Sequence, residues 1–352
     1  MTVRWAPGVV GGPAAWLAAE LEASTDWWHT FTAEEVDEID CALEHARTVQ
    51  PDLDLAWLAP EAFPLPTVTG LVDAIRHQLV DGKGLMVCDG FPVDRYTLPE
   101  LRAIWWGLSQ HVGTPVAQSW RGDVMGDVRD IGTGIEGRTG RGYTSNAELR
   151  FHSDQADVTA LFFLRRAKRG GESRWASSVA VHDEIARRRP DLLEVLYAPF
   201  TTSWQANEPP GERPWYDMPV YGRAGDDVAC AYVGSNILFA EENCGAPPLT
   251  AEQIEAVWYV AEVAAEPAFW IERTLDPGAM SFVHNHTVFH MRTAFEDFDE
   301  PDRKRHLLRS WLSLPNSRAL PASFSSFFAD VQPGAIRGGY ESRDGARRFQ
   351  TA

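Results

Sequence analysis

Two residues in the segment RFHSDQAD, His152 and Asp154, have the types and the spacing of neighbouring ligands for a divalent metal. On an extended segment, residues at i and i+2 point to the same side, so this imidazole and this carboxylate would lie next to each other. One more imidazole from a distant strand would complete a triad of two histidines and one carboxylate. That triad leaves coordination positions open and is typical of non-haem Fe(II) sites. The H-x-D pattern alone is short and recurs by chance, so the rest of the chain decides what it means.

A group of histidines far downstream offers the missing imidazole. His284, His286 and His290 share one parity, so they would share one face of a strand in this region. A lone histidine in a strand is more often structural than a ligand, but three together favour at least one ligand. The alternation of side chains does not choose among the three.

The next segment, residues 302–314, places arginines among leucines and a tryptophan. In a strand here, Arg305 and Arg309 share a face with Trp311. A buried arginine needs an anionic partner or a polar cavity, because burying an unpaired charge is unfavourable. The pattern supports equally a structural ion pair and a carboxylate site, for which the planar guanidinium is well suited. The two arginines would stand roughly 13 Å apart along the strand, so they cannot hold the same small carboxylate.

The charge and the cysteines limit the partners and the compartment. Lys and Arg total 32 against 50 Asp and Glu, a net charge of −18 that repels nucleic-acid phosphates. The four cysteines contain no C-x-x-C pair and indicate free thiols in a reducing compartment. No apolar run reaches the length of a transmembrane helix. We therefore expect a cytoplasmic protein that binds neither nucleic acid nor membranes, and a homo-oligomer stays open.

The hydrophobic pattern changes from helical to β-rich along the chain. Three pairs form capping-box signatures at predicted helix starts: Thr32 with Glu35, Thr97 with Glu100, and Thr250 with Gln253. After about residue 113, short β-rich runs are separated by Gly, Pro and Asp, and we predict strands over 128–131, 158–164, 173–177, 201–205, 228–233, 268–271, 281–289 and 306–314. Such a pattern is typical of a double sheet. We predict an α+β fold: a double-stranded β-helix (jelly-roll) core with N-terminal and inserted helices.

The chain divides into three predicted parts. Residues 1–80 form an N-terminal helical region packed on the core, residues 81–333 form the jelly-roll domain, and residues 334–352 form a polar tail that we expect to fray. Long loops near 122–149 and 207–225 are rich in turn residues, and loops of that length are usually functional. We expect them to form a lid. Gln118 and Asn146 precede or lie in the first of them and are candidate substrate contacts.

The motifs together resemble the taurine dioxygenase/TfdA family of Fe(II)- and 2-oxoglutarate-dependent oxygenases, within the clavaminate-synthase-like superfamily. The resemblance covers about residues 80 to 315 and depends on the order and spacing of four pieces. The pieces are FHSDQ at 151–155, KRGGES at 168–173 followed by WASS at 175–178, NHTVFHMRTAFED at 285–297, and RHLLRSW at 305–311. No single piece is specific, but the set is.

The resemblance implies which histidine completes the metal site. In this family the distal ligand ends an N-x-x-x-x-H pattern, about fifteen residues before an arginine that binds the cosubstrate. By that position, His290 joins His152 and Asp154 as an iron ligand, and His284 and His286 have supporting or structural roles.

The resemblance also implies the organic binding residues. The distal carboxylate of 2-oxoglutarate would be held by Ser173, which follows the Gly-Gly pair, and by Arg305. Arg309, four residues later, would reach the primary substrate and favours one that bears a carboxylate. The implied cofactors and cosubstrates are Fe(II), 2-oxoglutarate and O2.

The implied activity is oxidation of an unactivated C–H bond in a small organic molecule, an expectation that extends to secondary metabolism. Hydroxylation is the default outcome, and desaturation or cyclisation stays open. Two alternatives keep the fold. A cupin-like metal-dependent hydrolase or isomerase would use the triad without 2-oxoglutarate, and a non-catalytic binding module would use neither.

Overall fold

The computed structural model of the protein describes residues 8–132 and 142–349. The expected N-terminal region, the expected lid over 122–149 and the polar tail each extend in part outside the described residues. The α-helices in the described residues are α1 Ala18–Glu22, α2 Ala33–Val49, α3 Thr69–Val80, α4 Leu98–Val112, α5 Ser178–Arg188, α6 Pro190–Leu196, α7 Gly234–Leu238, α8 Ala240–Cys244, α9 Ala251–Ala265 and α10 Ser325–Phe328.

The strands are shorter than most of the helices. They are β1 Trp28–Thr30, β2 Leu85–Asp89, β3 Thr114–Val116, β4 Asp123–Val128, β5 Leu149–His152, β6 Val158–Arg165, β7 Arg169–Gly170, β8 Ser173–Ser177, β9 Phe200–Ser203, β10 Trp215–Met218, β11 Tyr221–Ala224, β12 Asp227–Cys230, β13 Trp270–Arg273, β14 Met280–His284, β15 Val288–Arg292, β16 Phe295–Glu296, β17 His306–Ser313 and β18 Arg348–Phe349. Helices and sheets are thus mixed, as the sequence predicts.

Two sheets contain most of these strands. The large sheet has the order β1-β2-β14-β6-β17-β4-β18, and β3 also pairs with β17. The small sheet has the order β13-β8-β15-β5. Three two-stranded ribbons, β9 with β10, β11 with β12, and β7 with β16, complete the pairing among the described residues. β5 and β15, which carry His152 and His290, belong to the small sheet, whereas β17, which carries Arg309, belongs to the large sheet.

The helices begin where their capping residues predict. The Thr32 hydroxyl accepts from the Glu35 amide at 3.2 Å, and the Glu35 carboxylate accepts from the Thr32 amide at 2.9 Å. In α4 the fully buried Trp105 stacks on Phe162 of β6, with ring centroids 5.6 Å apart, so this helix covers the large sheet. Of the helices that the structure describes, none is both long and apolar enough to cross a membrane.

The expectation of one strand over 281–289 is wrong. Residues Met280–His284 belong to the large sheet and Val288–Arg292 to the small sheet, with a turn between them. The Thr287 amide closes this turn on the His284 carbonyl at 3.1 Å. The Asn285 side chain inside the turn bonds to the backbone of Asp154 and Ala156 at 3.0 Å, which fixes the break. The downstream histidines therefore do not share one strand face.

The described parts of the expected loops and tail contain regular structure. Asp123–Val128 is a buried strand that pairs with β17, and residues 207–225 contain β10 and β11. In the tail, Arg337 is only 3% exposed and pairs with Asp157 at 2.8 Å. Up to residue 349, a buried ion pair and the pairing of β18 with β4 hold the tail against the core.

Candidate metal centre

The structure brings His152, Asp154 and His290 together. His152 ends β5 and lies directly opposite His290 of β15, with ring centroids 4.3 Å apart. Asp154 Oδ1 lies 3.9 Å from His152 Nε2, and Asp154 Oδ2 lies 3.8 Å from His290 Nε2. One potential ligand atom from each of the three residues lies within 4.8 Å of the others, which fits a single bound metal ion. Two histidines and one carboxylate in this arrangement match the donor set of a facial triad with open positions.

Hydrogen bonds leave the donor atoms of the cluster available. His152 Nδ1 lies 2.8 Å from the Arg150 carbonyl, which can only accept, so Nδ1 carries the proton and Nε2 keeps its lone pair. His290 Nδ1 is buried and has no hydrogen-bond partner within the described part of the chain. An orphaned buried nitrogen in this position is consistent with a site that is completed by a bound ion and its water.

Asp154 is held by hydrogen bonds to three other elements. Thr159 of β6 donates to Oδ2 at 2.7 Å, and the indole Nε1 of Trp311 in β17 donates to the same oxygen at 2.8 Å. The Asp154 amide donates to the Asn285 side chain at 3.0 Å. With Oδ2 satisfied twice, Oδ1 is the oxygen left to bind a metal.

The charges around Asp154 keep the carboxylate ionised and the neighbouring imidazole neutral. Burial raises the pKa of Asp154, but the Arg309 guanidinium and the two imidazoles outweigh it and lower this pKa to about 2. Burial, together with the nearby His152, lowers the pKa of His290 to about 3. A carboxylate and a neutral imidazole are the protonation states that metal ligation requires.

Arg309 is fixed beside the triad on the face of β17 that also carries Trp311. Its Nε donates to Gln118 Oε1 at 2.6 Å, and the Gln118 amide donates back to the Arg309 carbonyl at 3.0 Å. The guanidinium lies 4.3 Å from the ring centroid of Tyr143 and 5.3 Å from that of Trp311. Its Nη1 is 3.9 Å from Asp154. Gln118 is thus placed to orient Arg309, and Arg309 is within reach of a molecule bound at the triad.

Arg305 lies in a separate, buried position. It is 4% exposed, its Nη1 has no partner within residues 8–132 and 142–349, and burial followed by the nearby Arg292 lowers its pKa to about 9. Its guanidinium is 5.2 Å from the Phe295 ring centroid. A side chain at Gly171, where φ is +80°, would come within 3.2 Å of Arg305 Nε, so the glycine gives the arginine its room. A buried cation with an unsatisfied donor fits a bound anion.

Ser173 begins β8 and is buried. In the register of the small sheet it stands opposite Arg292 of β15, two residues beyond His290. Side chains of β15 at His290 and Arg292 point to the same side of the sheet. Ser173 is therefore on the strand next to the triad, at the end of β15 where Arg292 lies.

Two cavities lie near the sheets. One of about 240 Å³ opens beside Arg305 and Gly171 and is lined also by Arg166, Lys168 and Arg169. The other, of about 120 Å³, lies against His284, His286 and Arg337 and contains no residue of the triad. The second cavity is therefore unrelated to the metal cluster, although it lies next to two of the candidate histidines.

The remaining predicted residues fall into two groups. His286 Nε2 is 3.3 Å from Asp157 and Nδ1 is 3.2 Å from the Cys230 carbonyl, so His286 belongs to a buried network away from the triad. Asn146 is exposed, and among the described residues its recorded contact is through its carbonyl, which accepts from the Phe295 amide at 3.0 Å.

Sequence reasoning missed the residues that support the triad. Asn285 had a signal, since it begins the N-x-x-x-x-H pattern, and Trp311 shares the face of Arg309. Thr159 and Arg292 had none, because nothing local distinguishes them from other strand residues. The sequence does not predict the strand pairing that places them, which is β15 with β8 in the small sheet and β17 with β6 in the large sheet.

Comparisons with known proteins identify the family. The profile of the family described as "Taurine catabolism dioxygenase TauD, TfdA family" matches residues 49–311. FR-33289 synthase of Streptomyces rubellomurinus is 33% identical over 325 residues, which cover 90% of this chain and 94% of that protein.

Solved structures give the same fold. Asparagine oxygenase, in complex with Fe(II), 3-hydroxyasparagine and succinate, superposes with a TM-score of 0.61 at 20% identity, covering 82% of this chain and 93% of that one. The non-haem iron oxygenase OrfP, in complex with Fe, succinate and (3S)-hydroxy-L-arginine, gives a TM-score of 0.59 at 16% identity, covering 81% and 94%. The chain belongs to the TauD/TfdA family and is an Fe(II)- and 2-oxoglutarate-dependent oxygenase.

Proposed function

We propose that His152, Asp154 and His290 hold the iron and that Ser173 and Arg305 hold the distal carboxylate of 2-oxoglutarate. The cluster of three donor atoms within 4.8 Å supports the first assignment. The unsatisfied Nη1 of the buried Arg305 supports the second. When bound, iron with 2-oxoglutarate and O2 supplies the oxidation of a C–H bond, and 2-oxoglutarate leaves as succinate and CO2.

The chain's own residues bind and orient. Thr159 and Trp311 hold Asp154 by one oxygen, so the other oxygen faces the metal in a fixed direction. Arg305 and Arg309 fix two different molecules, which places the C–H bond to be oxidised near the open side of the triad. Hydroxylation is the outcome that this arrangement favours.

We propose further that the large and small sheets are the two halves of a double-stranded β-helix, with the triad between them. The pairing of β15 with β5 and β8, and of β17 with β6 and β4, supports this. In this proposal residues 81–333 form the oxygenase domain, residues 1–80 cover it, and the segments 122–149 and 207–225 contribute to the lid.

The substrate that this site fits best is a small polar molecule with an acidic group. The observation that carries this proposal is Arg309, held by Gln118 between Tyr143 and Trp311 with its Nη1 3.9 Å from Asp154. The ligands named in the two solved structures, 3-hydroxyasparagine and (3S)-hydroxy-L-arginine, each carry a carboxylate. Gln118 would act through its hydrogen bonds to Arg309, and we propose the exposed Asn146 as a second substrate contact.

A substrate screen tests the proposal. Small acids, their amides and their esters are supplied to iron-loaded enzyme with 2-oxoglutarate, and succinate and oxidised product are measured together. We expect coupled product only from compounds with a free acidic group, and Arg309→Gln should raise their KM. If neutral compounds are the best substrates and Arg309→Gln leaves KM unchanged, the proposed substrate class is wrong.

A further inference from the structure

A second buried arginine, Arg292, lies near Arg305 and has no assigned role. It ends β15 two residues beyond His290, is 6% exposed, and stands opposite Ser173 on β8. Residues at i and i+2 of a strand point to the same side, so its side chain leaves the sheet on the side of His290. Its place in the sheet is thus next to Ser173, which we assign to the cosubstrate.

The two arginines approach the same aromatic ring. The Arg292 guanidinium is 4.7 Å from the Phe295 ring centroid, and the Arg305 guanidinium is 5.2 Å from it. Two cations this close repel each other, and burial strengthens the repulsion because the surrounding medium screens it poorly. The arrangement needs negative charge nearby.

The nearest carboxylates do not pair directly with either guanidinium. Asp130 and Asp297 attract Arg292, and Asp297 attracts Arg305, but within residues 8–132 and 142–349 none of them lies at ion-pair distance. Asp297 Oδ1 instead accepts from the backbone amide of Arg305 at 2.8 Å. Arg292 uses Nη2 on the carbonyls of Ser145, at 2.8 Å, and Ala147. Within the described part of the chain, its Nε and Nη1 are buried without hydrogen-bond partners, as is Nη1 of Arg305. Three buried donors on two neighbouring cations call for an anionic acceptor.

We propose that Arg292 is a second arm of the cosubstrate site, which donates from Nε or Nη1 to the distal carboxylate of 2-oxoglutarate alongside Arg305. This inference rests on the proposed function, because it takes 2-oxoglutarate to lie between the triad and Ser173. A carboxylate has two oxygens and room for several donors, so two guanidiniums and a hydroxyl can share it. Nη2 of Arg292 donates to the carbonyls of Ser145 and Ala147 and so connects the cosubstrate site to the backbone of that segment.

The test uses a ligand that lacks only the distal carboxylate. 2-Oxopentanoate keeps the keto-acid end and the chain length of 2-oxoglutarate but ends in a methyl group. Both ligands are titrated calorimetrically into Mn(II)-loaded wild type, Arg292→Met and Arg292→Lys, and binding too weak for direct titration is measured by displacement of 2-oxoglutarate. Mn(II) is used so that binding is followed without turnover, and thermal melting reports whether each variant folds.

We expect Arg292→Met to weaken 2-oxoglutarate binding at least about tenfold, the scale of one charge-assisted contact, and to change 2-oxopentanoate binding much less. Arg292→Lys should recover part of the lost 2-oxoglutarate affinity, because lysine keeps the positive charge but lacks the planar guanidinium that bonds to both carboxylate oxygens. If Arg292→Met weakens the binding of both ligands by the same factor, Arg292 acts only through the backbone at 145–147 and the inference is wrong. If Arg292→Met binds 2-oxoglutarate as wild type does, it is also wrong. If wild type itself does not bind 2-oxoglutarate, the proposed function fails first, so the two failures are distinguishable.

Discussion

His290 stands directly opposite His152 on neighbouring antiparallel strands, with the two ring centroids 4.3 Å apart. Asp154 follows two residues after His152 and brings its carboxylate within 3.9 Å of both rings. The metal cluster is therefore a product of strand register. A shift of β15 by one residue would turn His290 to the other face of the sheet.

This register predicts the effect of removing each ligand. His152→Ala, Asp154→Ala and His290→Ala should each lose iron, measured as metal bound per folded chain, with little change in melting temperature. His286→Gln should do the reverse: iron is retained, while stability falls because His286 is bonded to buried Asp157. Loss of iron from the His286 variant together with retention in His290→Ala would mean that the wrong histidine has been chosen.

The two arginines of the β17 segment should separate cosubstrate from substrate. Arg305→Gln removes a buried charged donor, and we expect a loss on the order of 2–4 kcal/mol, or roughly 30- to 1000-fold in 2-oxoglutarate affinity. Arg309→Gln should act mainly on the KM of the primary substrate. Both are measured by titration of 2-oxoglutarate and by succinate formation. A larger effect of Arg309→Gln on 2-oxoglutarate would show that the roles are reversed.

Trp311 should strengthen metal binding through its hydrogen bond to Asp154. Trp311→Phe deletes the indole donor to Asp154 Oδ2, and loss of such a supporting bond weakens metal binding by about 10- to 100-fold. Trp105→Phe is the matched control, because Trp105 is also buried and its Nε1 has no hydrogen-bond partner in the described chain. The measurement is the dissociation constant for Co(II) in each variant. Equal Co(II) affinities in the two variants would show that Trp311 does not support metal binding.

The buried pair of Asp157 and Arg337 should contribute to stability against acid. Burial raises the pKa of Asp157, but His286 and Arg337 outweigh it and lower this pKa to about 2. The unfolded carboxyl titrates at about 3.9. Because the folded pKa is the lower one, this group stabilises the fold fully above about pH 4 by on the order of 2 kcal/mol, and that stability is lost as the pH falls through about 2.

Substitution checks the same pair. Asp157→Asn leaves Arg337 buried without its counter-ion and should reduce the free energy of unfolding at pH 7 by about 3–5 kcal/mol. Asp227→Asn is the control, since it breaks an exposed pair with Arg318 and should cost less than about 1 kcal/mol. Urea unfolding at pH 7 and pH 3 measures both. Equal losses in the two variants would contradict a structural role for the tail that carries Arg337.

The sequence predicts what is local and misses what depends on pairing. Capping residues locate α2, α4 and α9, and the i and i+2 spacing predicts that His152 and Asp154 lie together. The strand expected over 281–289 is in fact two, because the side chain of Asn285 bonds to a loop more than a hundred residues earlier. His290 could be selected only by resemblance to a family, since the alternation of side chains along a strand does not predict which strand pairs with β5. Arg337 shows the same limit, because nothing in the polar C-terminal segment predicts that this arginine is buried against Asp157.

The most direct test of the account is anaerobic titration of 2-oxoglutarate into the Fe(II)-loaded protein, followed by the visible charge-transfer absorption of the chelate. We predict a band that saturates at stoichiometric 2-oxoglutarate in wild type, is absent in His290→Ala and needs much more 2-oxoglutarate in Arg305→Gln. Folded, iron-loaded wild type that develops no band would contradict the central claim that this triad and this arginine form one Fe(II) and 2-oxoglutarate site.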